Sequence, residues 1–328
     1  MKFRTEIDVA PFESQIDYSQ EIFLIGSCFA TAMGERLQKY KFNICTNPFG
    51  VLFNPLSITR SIERMEHLQM VDSEQLIERD GVYFHYDFHG SFASIDKQEA
   101  LDKMNEAIAR GHEAFMASST VIITLGTMWV YALRSTGEVV ANCHKMPASL
   151  FRRKALSVSE IVESLSAIVE RYSAKRFIFT VSPIRHLSDG AEDNSLSKAT
   201  LRVAIAQLQE RFQRVDYFPS YEIMVDDLRD YRFYAEDMVH PTEQAQEYIW
   251  RQFRGAVIAS ASHETMDRVE RIARAVEHRP FNALSGAHRA FCQRQLTLIS
   301  ELVGLDFSRE RDYFESQIEL IDDGASNK

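Results

Sequence analysis

The chain has 328 residues, 45% of them hydrophobic and 26% charged, the proportions of an ordinary globular protein rather than a disordered or fibrous one. A chain this long buries roughly three-quarters of its unfolded surface, so it folds without a disulfide or metal staple. Basic residues number 37 and acidic residues 47, leaving a formal charge of −10; this argues against nucleic acid as a partner.

In chain order, residues 22–25 (IFLI) form a continuous apolar run of the kind found in strands buried on both faces. The run ends at Gly26, and 27–40 reads as a helix with Phe29, Met33 and Leu37 on one face. Helices follow at 56–70 and 97–116, with an aromatic-rich extended segment, 82–92, between them. Residues 120–125 (TVIITL) are a second buried strand, and 130–142 a hairpin turning at 135–137. The next helix carries Ile161, Val162, Leu165, Ile168, Val169 and Tyr172 on one face, with Ser157 and Glu160 as a capping box. Residues 176–182 make a third strand, 194–214 a helix, 215–223 an extended segment, and 241–253 a helix with Pro241 in its first turn.

Strand and helix in alternation predict an α/β fold of three layers, a parallel sheet flanked by helices. Past residue 256 only helices are expected, among them 288–303, with 324–328 as a frayed end. The chain thus divides into an α/β body, 1–255, and a helical C-terminal extension, 256–328, which packs on the body or forms a homo-oligomer surface. The first residues, MKFRTEIDVAPFES, lack the apolar stretch of a signal peptide, and no apolar run reaches the ~18 residues of a membrane span. Cys28, Cys45, Cys143 and Cys292 are widely spaced, with no CxxC pair, as in proteins that keep their thiols reduced. The expectation is a cytoplasmic protein. There is no P-loop and no G-x-G-x-x-G, and neither a cofactor nor a metal is expected.

In an open parallel sheet, ligands bind beyond the carboxyl ends of the strands. The residues that follow the predicted strands are Gly26, Ser27 and Cys28; Gly126, Thr127 and Met128; and Arg185 and His186. Asp237 and His240 lie just before the last helix of the body. A glycine at a strand end lets the chain turn sharply into a helix N-terminus, whose N–H groups and dipole favour a thiolate or an oxyanion. An aspartate three residues before a histidine orients the imidazole through one ring nitrogen and leaves the other as a base. The plainer readings are a small-residue turn and an Asp-capped loop; their combination on one rim favours chemistry. Asn194 reads as a helix cap, ahead of Ser197 and Lys198. His144 is a substrate contact or a turn residue, and His186 is a rim residue. His85, Asp87 and His89 share one face of an extended segment. No further ligand spacing accompanies them, so an aromatic hairpin is favoured over a metal site.

The segment FLIGSCFATAMGERL contains G-S-C-F-A at residues 26–30, the signature of the GSCFA family, which resembles a branch of the SGNH (GDSL-like) hydrolases. The resemblance covers about residues 15–255 in four ordered blocks. LIGSCFA resembles the nucleophile turn, NPFGVLFNP the glycine block, TLGTMWVY the Gly-x-Asn-Asp block, and EDMVHPTEQA the closing Asp-x-x-His-Pro block. It implies a flavodoxin-like α/β fold and an acyl-ester hydrolase or acyltransferase acting on an acylated carbohydrate, lipid or small molecule. Aligned on the glycine, Cys28 falls on the nucleophile, with Ser27 as the alternative; His240 is then the base and Asp237 its orienting carboxylate. A thiol there is expected to be partly ionised at neutral pH. Met128 stands where the superfamily has its oxyanion Asn. Replacement donors are the N–H groups of the Cys28 turn, Gly50 and Gly126, or the side chains of Asn54 and Asn142. The alternatives are the same fold kept as an inactive binding module, and an interaction protein working through its C-terminal helices.

Overall fold

The structure is a computed structural model that describes residues 4–326. Two compact units divide it, one running to Glu35 and again over 43–257, the other formed by 36–42 and the residues from Ile258 onward. The first unit holds a five-stranded parallel sheet of β1 (Glu21–Gly26), β2 (Asn43–Thr46), β3 (Thr120–Leu125), β4 (Arg176–Val181) and β5 (Val215–Tyr217), in the order β5-β4-β3-β1-β2. This 2-1-3-4-5 order is the flavodoxin-like doubly wound arrangement, whose order reverses between β1 and β3.

The connections are α1 (Cys28–Lys39), α2 (Pro55–Glu66), α3 (Lys97–Ala117), α4 (Val158–Arg171), α5 (Ala191–Arg211) and α6 (Glu243–Val257). β3 is buried at every residue and β1 and β4 at all but the first, because helices leave neither face of the sheet to solvent. On one face Phe23, Ile25, Val121, Ile123, Phe177 and Phe179 share a core with Ile58 and Ile62 of α2, Met104 and Ile108 of α3, Leu165 of α4 and Leu201 of α5. The capping box of α4 forms as its sequence predicts.

Two small antiparallel pieces are inserted. Ile77–Arg79 pairs with Val82–Phe84, and Trp129–Leu133 pairs with both Val139–Val140 and Phe151–Ala155. In the second piece Arg153 stacks 3.5 Å over Trp129 and pairs with Asp189 and Asp193 at 2.9 and 3.2 Å, tying this sheet to the start of α5.

Several expectations are corrected. Residues 82–92 are extended only through Phe84; Gly90–Phe92 is a 3-10 turn. Strand β5 stops at Tyr217, after which Ser220–Glu222 is helical and Ile223–Asp227 π-helical. Pro219 cannot extend the ladder, and Ser220 Oγ donates to Val181 O at 2.8 Å, holding the turn against the end of β4. Pro241 lies outside α6: it bridges Tyr234, and Thr242 Oγ1 accepts the Ala245 N–H at 3.3 Å as the helix starts. α5 begins three residues before Asn194, whose side chain is not a cap.

The second unit contains α7 (Ser260–Glu277), α8 (Gly286–Glu301) and α9 (Ser308–Ser326), packed around Val269, Ile272, Cys292, Ile299, Phe307 and Phe314. Lys41 joins this unit through Glu310 at 2.6 Å. α9 stays helical through Ser326, so fraying does not begin at 324 as expected, and Asn327 and Lys328 lie outside the described residues. Among the described residues no helix is long and apolar enough to cross a membrane.

Candidate active site

In a doubly wound sheet the ligand crevice lies at the switch point, here beyond the carboxyl ends of β1 and β3. Gly26 has φ 135°, and a Cβ there would sit 2.1 Å from the Thr124 carbonyl oxygen, so only glycine allows the two strand ends to touch. Ser27 N–H donates to Thr124 Oγ1 at 2.8 Å and to Thr124 O at 3.0 Å. The Ser27 side chain is 1% exposed; its Oγ lies 3.0 Å from Thr124 Oγ1 and accepts the Phe29 N–H at 3.3 Å. Ser27 is therefore turned inward, while Cys28, the first residue of α1, is half-buried. Burial pushes the Cys28 thiol up from its ordinary value and outweighs the pull of its own N–H. The expectation of a partly ionised thiol is thus corrected, because desolvation overrides the helix N-terminus.

Residues 47–54 cross this mouth. Asn47 Oδ1 accepts the Gly26 N–H at 2.8 Å, and Nδ2 donates to Thr31 Oγ1 at 2.9 Å. Leu52 N–H donates to Gly26 O at 2.9 Å, and Phe53 O accepts the N–H groups of Gly126 and Thr127 at 2.8 and 3.0 Å. Gly50 N–H closes a turn onto Asn47 O at 2.7 Å. Neither Gly50 nor Gly126 keeps a free N–H for an oxyanion, since turn closure and loop pairing engage both. Asn54 Oδ1 caps α2 through Ser57 N–H at 2.9 Å, which leaves the Nδ2 hydrogens as its remaining donors.

The loop after β4 meets the loop before α6. Arg185 N–H donates to Val239 O at 3.2 Å. His186 N–H donates to Asn194 Oδ1 at 2.9 Å, and its ring packs edge-on against Phe53. His186 Nε2 is buried without a hydrogen-bond partner, 3.2 Å from where a Gly126 Cβ would stand. Burial, followed by the charges of Lys198 and His240, pushes His186 down to about 4, so it is neutral at pH 7.

In the second of these loops, Asp237 Oδ1 accepts the N–H groups of Val239 and His240 at 2.9 and 3.0 Å, and Oδ2 accepts from His240 Nδ1 at 2.6 Å. Those three bonds hold the Asp237 carboxyl down at about 2, those to His240 contributing most. The two side chains are 50% and 48% exposed. Met238 between them takes φ 57°, a left-handed conformation that non-glycine residues rarely adopt.

Beneath the rim, α5 fastens three loop ends. Besides Asn194, Ser197 Oγ accepts the Met128 N–H at 2.8 Å and lies 3.1 Å from Thr127 Oγ1. Lys198 Nζ donates to Gly126 O and Ser182 O, both at 2.8 Å. Burial pushes Lys198 down to about 7. Met128, whose thioether donates no hydrogen bond, is 2% exposed. Strand ends and motif spacing do not single out Lys198, Asn47 or Thr124 as site residues. For Lys198 a signal exists: Asn194, Ser197, Lys198, Leu201, Ile205 and Leu208 make one buried stripe at helical spacing.

Asn142 and His144 belong to a different cluster. Asn142 Oδ1 accepts the His144 N–H at 2.8 Å, and His144 Nε2 donates to the carbonyls of His85 and Phe88, each at 3.0 Å. His144 also stacks on Phe84 at 4.3 Å. These bonds engage both side chains in pinning the turn. Nearby, Asp87 is 3% exposed and pairs with Arg64 and Arg60 at 3.0 and 3.4 Å. Burial pushes His85 down to about 4. Among the described residues no group of three His, Cys, Asp or Glu side chains is placed to hold a metal ion, and all four cysteines are free thiols.

The fold is that of a doubly wound α/β protein. The GSCFA family model matches residues 21–253, and the model of the GSCFA domain protein, C-terminal domain, matches 269–320. The chain belongs to the GSCFA family. No curated protein matches it. A solved structure from Streptococcus pneumonia, provisionally named a platelet activating factor, is 11% identical, with 72% of this chain and 82% of that chain covered and a TM-score of 0.36.

Proposed function

We propose that the chain is an acyl-transfer enzyme that hydrolyses an ester or passes its acyl group to an acceptor. Cys28 is the nucleophile, His240 the general base and Asp237 the group that orients it. The observation that supports this most is the 2.6 Å contact between Asp237 Oδ2 and His240 Nδ1 on a half-exposed loop, which leaves His240 Nε2 to take a proton. Cys28 is favoured over Ser27 because the Ser27 hydroxyl is buried and engaged with Thr124 and Phe29.

With its pKa raised by burial, Cys28 rests as a thiol and needs the base. Nε2 of His240 removes the Sγ proton as sulfur attacks the acyl carbon. The oxyanion falls to the Cys28 N–H and to Asn54 Nδ2. Collapse expels the alcohol, which takes the proton from His240, and leaves a thioester on Cys28. Water or an acceptor hydroxyl, deprotonated by His240, then releases the acyl group and restores the thiol. The substrate class is an acylated carbohydrate, lipid or small molecule.

The test is 4-nitrophenyl acetate. The intact mass of the protein should gain one acetyl group on Cys28, with steady release of nitrophenol. His240→Ala should lower turnover by about 10³-fold or more with an unchanged Tm. A folded His240→Ala protein with near-wild-type turnover overturns the proposal. The absent oxyanion Asn supports a second reading, a binding module without turnover, for which neither acetylation nor release would be seen.

A further inference from the structure

Against the Asp237–His240 loop the rim carries a cation, Arg185, that makes no ion pair among the described residues. Arg185 is joined to the Asp237–His240 loop through Val239 O at 3.2 Å. Its guanidinium lies 3.8 Å over the ring of Tyr234 and 5.9 Å from that of Tyr231. The guanidinium makes one long contact, 3.5 Å to Met238 O, and no ion pair among the described residues. A stacked guanidinium held in this way presents its N–H fork already ordered, the geometry that suits a carboxylate or phosphate.

A cavity of about 220 Å³ opens beside it, with Arg185, Met224, Arg229, Asp230, Tyr231 and Tyr234 in its lining. Asp230, the acidic residue there, turns to Arg232: Oδ1 accepts the Arg232 N–H at 2.9 Å, and the other oxygen lies 3.9 Å from its guanidinium. Arg229 pairs only loosely with Asp226, at 3.7 Å and with both side chains exposed. The cavity therefore holds two guanidinium groups and one carboxylate already engaged, in a chain whose formal charge is −10. Its volume is below the roughly 300–1,000 Å³ of sites that enclose a whole small molecule, and it suits a head group. Tyr231 is 70% exposed, so the wall is open on the solvent side.

We propose that Arg185, with Arg229 in the same cavity, forms an anion subsite that holds a carboxylate or phosphate of the substrate beside His240, making the acyl ester processed here an anionic one. This rests on the acyl-transfer reading above. The test compares wild type, Arg185→Gln and Arg185→Lys on four esters: 4-nitrophenyl acetate, mono-4-nitrophenyl succinate, 4-acetoxybenzoate and 4-acetoxyphenyl phosphate. Arg185→Gln should raise KM for at least one anionic ester by about tenfold or more, leave the neutral ester within about twofold, and be partly rescued by Arg185→Lys. The ester that responds identifies the group held and whether it lies on the acyl or the alcohol side. Equal losses on neutral and anionic esters, or none on any, overturn the subsite. Binding of inorganic phosphate and of succinate, followed by NMR, separates the two proposals. If wild type turns over no ester but binds either anion, and Arg185→Gln does not, the acyl-transfer reading fails and the subsite stands. With neither turnover nor anion binding, the subsite falls too.

Discussion

His85 and Asp87, in the turn after Val82–Phe84, and Asp237 and His240, in the loop before α6, are built from the same two residue types at similar spacing. In the first pair the carboxylate is buried and neutralised by Arg64 and Arg60, while His85 Nδ1 accepts the Asp87 N–H at 3.1 Å. The turn is then clamped by His144 on the carbonyls of His85 and Phe88. In the second pair both side chains are half-exposed, and the Asp237 carboxylate serves its own loop and His240 alone. A carboxylate matched by arginines inside the protein belongs to the fold. One that pairs, among the described residues, with an accessible imidazole keeps its charge available for a reaction.

Replacing the proposed nucleophile is the strongest way to sharpen that contrast. Cys28→Ala should remove ester turnover by about 10³-fold or more while the Tm stays put. Ser27→Ala removes a side chain that accepts at the start of α1 and should cost about 1 kcal/mol of stability, with the thiol still reactive. Kinetics and denaturation on both variants check this; an inert, folded Ser27→Ala with an active Cys28→Ala would hand the role to serine.

Exchanging the two carboxylates comes next. Asp237→Asn should slow turnover by about 10²- to 10⁴-fold without moving the denaturation midpoint, as expected of a group that orients a base. Asp87→Asn leaves Arg64, 7% exposed, beside an uncharged partner, and should destabilise by about 3 kcal/mol while its folded fraction keeps its activity. If both variants lose stability alike, the contrast between the clusters is broken.

Acid touches both regions. His85 and His186 each bind a proton near pH 4 in the folded chain and near 6.5 when unfolded. Between those values the unfolded chain holds more protons, so stability is complete above about pH 6.5 and falls as the pH drops toward 4. At pH 5 each histidine should account for about 2 kcal/mol. Denaturant midpoints from pH 7 to 4.5, with and without His85→Gln, measure it; an unchanged slope in the variant would show that His85 does not titrate in this way.

The three long buried strands are legible in the sequence because burial on both faces leaves continuous apolar runs. β2 is not, since NICT at the sheet edge is short and half-exposed. The π-helical turn after β5 depends on Ser220 reaching the end of β4, a contact between distant segments that no local pattern carries. Candidate site residues on the rim could be named from strand ends and spacing alone. The fates of the Gly50 and Gly126 N–H groups could not, because each donates to a carbonyl whose position only the folded loop 47–54 determines. Likewise the helix position of Cys28 predicts a lowered thiol pKa, whereas the burial that raises it comes from tertiary packing.

Asn194, Ser197 and Lys198 all project from one stripe of α5, and through them the helix grips His186 after β4, Met128 after β3, and the carbonyls of Gly126 and Ser182. A helix is stiff along its axis and its residues rise only about 1.5 Å each. Three tethers leaving such a rod within little more than one turn cannot be pulled independently. A small slide or roll of α5 would carry the floor of the crevice as a single panel, so that its width is set by one rigid-body coordinate rather than by the separate wandering of each loop.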